Sequence, residues 1–165
     1  MFGEMRRKKQ ALPLEACEKI LERGTSGVLA LEGEEGYPYA VPLSYYYEKG
    51  KIFFHCGKRG YKIEALKRNE KVSFCVIDQD QIIPEEYTTY FRSVIVFGKL
   101  CILEGEAEKR RAIEKLALKY APEEPEEKTN RAIDREFSPL CMLELSIEHI
   151  SGKEAIELVR ENRER

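Results

Sequence analysis

Residues 53–63 read Phe-Phe-His-Cys-Gly-Lys-Arg-Gly-Tyr-Lys-Ile. A strand-like run passes into a loop with two glycines and three cations, and the loop opens a helical pattern. A helix start presents unpaired N–H groups and the positive end of the peptide dipoles. Lys58, Arg59 and Lys62 add formal charge, and together these are the ingredients of a phosphate site. The GxxxxGK[ST] spacing of a P-loop and the dinucleotide fingerprint are both absent. A solvated basic loop has the same composition. Upstream, residues 40–45 read Ala-Val-Pro-Leu-Ser-Tyr, with Pro38 and Pro42 inside an otherwise strand-like stretch. Proline removes a ladder donor, so this strand must be unpaired on one side. Free backbone amides and carbonyls suit the edge of a flat heterocycle such as a flavin or pterin. An ordinary edge strand guarded by proline would look alike. A third cluster, residues 87–98, gathers aromatics and hydroxyls, Ser93 among them, at the start of a long strand signal.

Other chemistries find less support. His55 and His149 are the only histidines, and no third ligand at metal spacing accompanies them. Cys56 follows His55 directly, but adjacent strand positions point to opposite faces, so a Cys–His nucleophilic pair is geometrically poor. Ser44 lacks a GxSxG setting, and Glu85 and Glu86 read as solvated. The five cysteines are widely spaced with no CxxC, which fits reduced thiols in a reducing cytoplasm. Cys75 and Cys101, inside apolar runs, are expected to pack as small hydrophobes. The net charge of -2 gives no global basic field for nucleic acid. The basic start, residues 5–10, reads as a solvated arm. No apolar run is long enough to span a bilayer, and no signal-peptide pattern opens the chain. A cytoplasmic protein is expected.

The positioning elements follow from periodicity. The 165 residues, 42% hydrophobic, fit one domain over residues 1–150 with a helical extension over 151–165. Residues 13–23 carry Leu14, Cys17, Ile20 and Leu21 at helical spacing, and Gly24 stops the helix. Strand signals at 27–31, 37–47 and 51–56, broken by turns at 34–36 and 48–50, make two consecutive hairpins. A short helix at 63–68 precedes a strand at 72–77, a polar loop at 78–86 and a long strand at 88–103. Gly98 within the last predicts a bend or bulge. A helix at 106–120, an acidic linker at 122–127, a short helix near 130–136, a strand at 140–147 and a charged C-terminal helix complete the chain. About six antiparallel strands with one face to bury curl into a small barrel. Such a barrel has no interior space for a sizeable cofactor. A second subunit would have to supply the other wall, with Tyr45, Tyr46 and Tyr47 expected at that interface.

The ordered set A-V-P-L-S-Y, K-I-F-F-H-C-G-K-R-G-Y-K-I-E-A-L, N-E-K-V-S-F and Y-F-R-S-V-I-V-F-G-K resembles the pyridoxamine-phosphate-oxidase-related superfamily over roughly residues 5–150. It is most similar to the branch with nitroimidazole reductases and other flavin-binding proteins. The resemblance implies a mainly β, six-stranded antiparallel split barrel that binds FMN at the interface of a homodimer. It also implies that the Pro42, Leu43, Ser44 and Tyr45 strand touches the isoalloxazine ring. His55, Cys56 and Gly57 would lie beside the ring and ribityl chain. Lys62, with Lys58 or Arg59, would hold the phosphate, and Ser93 would reach the cofactor from the long strand. The implied activity is electron transfer from a reduced nicotinamide to a small acceptor, with His55 and then Tyr61 as proton donors. A non-catalytic flavin carrier or sensor, or a barrel using F420 or haem, are the alternatives. Two departures narrow the reading. Tyr61 stands where nitroimidazole reductases are expected to carry histidine. The C-terminus, L-V-R-E-N-R-E-R, lacks the arginine–histidine motif of the B6 oxidases.

Overall fold

The computed structural model describes residues 2–164, with side chains to residue 160. Seven antiparallel strands form one sheet in the order β2-β1-β5-β6-β7-β4-β3. They are β1 (Ser26–Glu32), β2 (Pro38–Ser44), β3 (Tyr46–Glu48), β4 (Lys51–Gly57), β5 (Lys71–Ile83), β6 (Thr88–Ile102) and β7 (Leu140–Glu154). The end strands β2 and β3 are consecutive in sequence, separated only by Tyr45. The single stretch expected over 37–47 is thus one strand broken at Tyr45, which accounts for seven strands where six were expected. Passing from one end of the sheet to the other through this residue closes the sheet into a barrel. Tyr45 is fully buried, and its peptide is gripped from outside. Tyr45 N–H donates to Tyr120 Oη at 3.0 Å, and that hydroxyl also meets the carbonyls of Thr25 and Tyr45.

The side chains that alternate inward fill the barrel. Leu29, Ile52, Phe54, Phe74, Val96, Leu143 and Leu145 are all fully buried. The rings of Tyr45 and Phe54 meet Phe74 edge-on at centroid distances of 5.0 and 5.1 Å, the favoured aromatic geometry. Helix α1 (Leu14–Arg23) turns Cys17, Ile20 and Leu21 toward this core. Helix α2 (Tyr61–Arg68) adds Ile63 and Ala65. Helices α3 (Glu106–Tyr120) and α4 (Glu126–Glu136) follow β6, with α3 against β3, β4 and β7, and α5 (Ile156–Glu164) ends the described chain.

Gly98 lies at the expected irregularity. The β6–β7 register shifts between Phe97 and Gly98, and a Cβ at Gly98 would collide with the Ser146 carbonyl. The polar loop expected at 78–86 is not found. Strand β5 continues to Ile83, paired with β6 as far as Thr88, after a register shift between Ile77 and Gln79. This extension has water on both faces, so it lacks the alternation that marks a half-buried strand. Strand β7 likewise runs past Ile147 to Glu154 because β6 offers it a partner that far. Cys75 is half-buried and Cys101 exposed, because the strand pleat turns both away from the barrel core. Tyr47, like Tyr45, lies in the core, and Tyr46 faces α3 with Lys115 Nζ 5.7 Å from its ring. The three tyrosines therefore do not form an exposed interface surface.

Candidate functional site

The ladder leaves a seam. Strand β2 pairs only with β1. Strand β3 covers only Lys51 to Phe53 of β4, so Phe54 to Gly57 have no ladder partner on that side. This is the unpaired edge that Pro38 and Pro42 require. Beyond Gly57 the chain bends through Gly60, whose φ of 129° favours glycine, and starts α2. No side chain caps that helix start. The Ile63 and Glu64 N–H groups return to the Gly60 carbonyl, which leaves the N–H groups of Tyr61 and Lys62 facing outward without an intrahelical partner.

These features enclose a cavity of about 100 Å³ lined by Tyr39, Cys56, Arg59, Tyr61, Lys62 and neighbouring backbone. The volume accepts a phosphate-sized anion. Lys62 is half-buried in its wall, whereas Lys58 and Arg59 are exposed. Burial pushes the Cys56 thiol up to about 11, assisted by the neighbouring Cys141, despite Lys62 nearby. Cys56 is therefore a neutral wall and not a thiolate nucleophile at neutral pH. Cys141 is its cross-strand partner.

The structure brings Cys56, Gly57, Arg59, Tyr61 and Lys62 to one cavity. His55 is exposed on the opposite face of β4 and does not line it. Pro42 and Ser44 face outward on β2, while Leu43 turns inward. Tyr45 has its ring in the core and both backbone groups engaged by Tyr120, so the free edge ends at Ser44. Ser93 lies on the outer face of β6, with β1 and β5 between it and β2. Sequence reasoning missed Tyr39, whose ring packs on Tyr61 at 4.5 Å. Its inward position in a proline-bearing strand carries no signal of its own. Tyr61 Oη accepts the Glu34 N–H at 2.7 Å, and Arg68 lies over its ring at 5.9 Å. Tyr61 thus ties the turn at 34–36 to the phosphate-sized cavity. Its own O–H remains available as a donor.

Among the described residues, no group of three or more His, Cys, Asp or Glu side chains could hold a metal ion. No helix among them is long and apolar enough to cross a membrane.

The profile of the pyridoxamine 5'-phosphate oxidase family matches residues 13–154. No curated protein matches the chain. Several solved structures share the fold. A FAD-binding protein from Mesorhizobium loti is 27% identical, with a TM-score of 0.66 over 88% of this chain and 97% of that one. A candidate 5-nitroimidazole antibiotic resistance protein from Bacteroides thetaiotaomicron is 22% identical, with a TM-score of 0.71 over 87% and 85%. The FAD and haem binding protein from Mycobacterium smegmatis is 19% identical, with a TM-score of 0.71 over 89% and 73%. With the seam, the phosphate-sized cavity and a profile spanning most of its length, this chain belongs to the pyridoxamine 5'-phosphate oxidase family.

Proposed function

We propose that the protein binds FMN along the seam, as a homodimer, and passes electrons from a reduced nicotinamide to a small acceptor. The carrying observation is the cavity of about 100 Å³ at the uncapped start of α2, walled by Lys62 and rimmed by Arg59. It suits a phosphate group. The ring system then lies beside it, along the free edge from Pro42 to Ser44. A monophosphate fits such a cavity more simply than a pyrophosphate, which supports FMN over FAD.

A flat ring on one sheet edge needs a second wall. The outer face of the sheet supports a second copy of the chain in that role. Pro42, Val28, Cys75, Ile95 and Ser151 form one row across five strands. Val28 and Ile95 are each 38% exposed. A row of small and apolar side chains facing water is the composition of a subunit contact.

When bound, the flavin supplies the hydride and electron chemistry. The chain's own residues have simpler tasks. Lys62 and the first N–H groups of α2 hold the phosphate, with Lys58 and Arg59 adding charge at the rim. Tyr39 and Tyr61 wall the cavity, and Tyr61 keeps an O–H to donate. His55 faces away from the cavity, so a proton-donor role for it requires the ring to reach the outer face of β4. Mass spectrometry of the ligand released from purified protein tests the reading, with FMN expected. Colourless protein that takes up no added FMN overturns it. Sustained oxidation of NADH or NADPH with an added acceptor distinguishes an enzyme from a carrier.

A further inference from the structure

Cys56 and Cys141 stand directly opposite each other in the β4–β7 ladder, so their side chains share the inner face of the sheet. Among the described residues no other two cysteines are register partners. Cys75 faces Val28 and Ile95, and Cys101 faces Glu144. The Cys56 and Cys141 thiols are close enough to interact, and Cys141 helps to keep the Cys56 proton in place. Cys56 lines the cavity at the start of α2, and Cys141 is buried in the core behind it. One thiol is thus reachable from the cavity, with the other in reserve.

The ladder also sets the geometry. Ile147 N–H donates to the Gly50 carbonyl at 3.0 Å, and hydrogen-bonded pairs recur at every second position along this register. Cys56 and Cys141 are therefore a hydrogen-bonded pair, with Cα atoms about 5.5 Å apart. That lies inside the disulfide range of roughly 4.4–6.8 Å. Opposed Cβ atoms in such a pair stand roughly 5 to 5.5 Å apart, whereas a disulfide draws them to about 3.8 Å. The bond is within reach, but it pulls two strands out of their resting spacing. A strained disulfide is readily reduced, which marks a reversible bond and not a permanent staple.

We propose that Cys56 and Cys141 form a reversible disulfide by exchange with a low-molecular-weight disulfide that meets Cys56 in the cavity, and that an anion held there shields the pair. In the first step the Cys56 thiolate attacks one sulfur of the incoming disulfide. A mixed disulfide forms on Cys56, and the other half leaves as a thiolate that takes up a proton in place of the one Cys56 lost. In the second step Cys141 gives its proton to solvent and attacks Cys56 Sγ, and the remaining half leaves and is protonated. Two electrons pass from the protein thiols to the incoming disulfide, which ends as two free thiols. The neutral Cys56 thiol makes the first step slow at pH 7 and faster in alkali, because only the thiolate attacks. Lys62 favours that thiolate and Cys141 opposes it. Tyr39, Arg59 and Tyr61 are the other ionisable groups on the cavity wall. Forming the bond draws Cys56 Sγ off that wall toward the core, so the phosphate-sized space changes with the thiol state. The pair itself needs nothing from the flavin reading, whereas the shielding rests on it.

The full-length protein is incubated at pH 8 with oxidised glutathione, alkylated and mapped by peptide mass spectrometry. A linked Cys56–Cys141 peptide is expected, with both free thiols recovered on adding excess reduced glutathione. In Cys141→Ser a glutathione adduct should persist on Cys56. In Cys56→Ser, Cys141 should stay free. A native melting transition shows that each variant keeps the fold. Inorganic phosphate should slow the linkage about tenfold at ten times its half-protecting concentration, while chloride at equal ionic strength should not. No linked peptide from folded protein, Cys56 linked to a different cysteine, or a bond that reduced glutathione leaves intact overturns the pair. Linkage unslowed by phosphate, in protein that binds FMN, overturns the shielding alone. Unslowed linkage in protein that binds no FMN overturns the flavin reading with it.

Discussion

Replacing Lys62 by Met keeps the stem that packs in the cavity wall and removes only the ammonium. Lys62 is half-buried beside the outward-facing N–H groups of α2, so its bond to a phosphate is charge-assisted and partly shielded from water. Such a bond is worth about 1.5–3 kcal/mol, or about a 10- to 150-fold loss of FMN affinity when it is removed. Arg59 is exposed on the rim. Arg59→Gln should cost only about two- to fivefold, like an open surface ion pair. Its share should fade as the Debye length shrinks from about 10 Å at 0.1 M salt to about 3 Å at 1 M. Titration of flavin fluorescence measures both effects. Riboflavin, which has the same ring system without the phosphate, is the control, and Lys62→Met should bind it as the parent does. Equal losses for FMN and riboflavin would refute the assignment of Lys62 to the phosphate. So would a larger loss from Arg59→Gln than from Lys62→Met.

Further perturbations probe the barrel and the outer face. Gly98→Ala forces a methyl group against the Ser146 carbonyl and the Leu145 side chain. A cost of about 1–3 kcal/mol should lower the melting temperature by roughly 2–12 °C, read by calorimetry. Asp78 accepts from Arg23 Nε at 2.7 Å and also meets Arg92, which pairs with Glu154 at 3.0 Å. Burial raises the Asp78 carboxyl, but its bonds to Arg23 and Arg92 outweigh that and hold it below its ordinary value. The stability it contributes is full above about pH 4, the unfolded value, and is lost as pH falls through the lower folded value. Asp78→Asn should be less stable at pH 7 and lose less on acidification, as urea midpoints at pH 7 and pH 3 would report. Ile95→Lys places a charge in the middle of the outer apolar row, so sedimentation should show a dimer for the parent and a monomer for the variant.

Elements whose local pattern and burial agree were legible in the sequence. Helix α3 runs from Glu106 to Tyr120 as its periodicity indicates, and Gly98 marks the β6 irregularity because a side chain there has no room. The prolines of β2 announced a strand without a partner on one edge. What stayed hidden depended on distant partners. The residues from Asp78 to Ile83 are strand only because β6 runs beside them. The break at Tyr45 exists because the chain must cross from one end of the sheet to the other, which no window of residues records. At the site, the basic loop was legible from charge and glycine. Tyr39 was not, because its place in the cavity wall arises from barrel closure.

The continuity of β2 and β3 through Tyr45 has a mechanical consequence. On this side the barrel is fastened by a covalent hinge and one phenolic clasp from α3, with no rung of backbone bonds above them. The slit can widen or narrow by torsion at a single residue while every ladder stays intact. Tyr120 sets the resting width by holding that residue's peptide at both ends. A shift of α3 would therefore be felt at the slit before any strand moved.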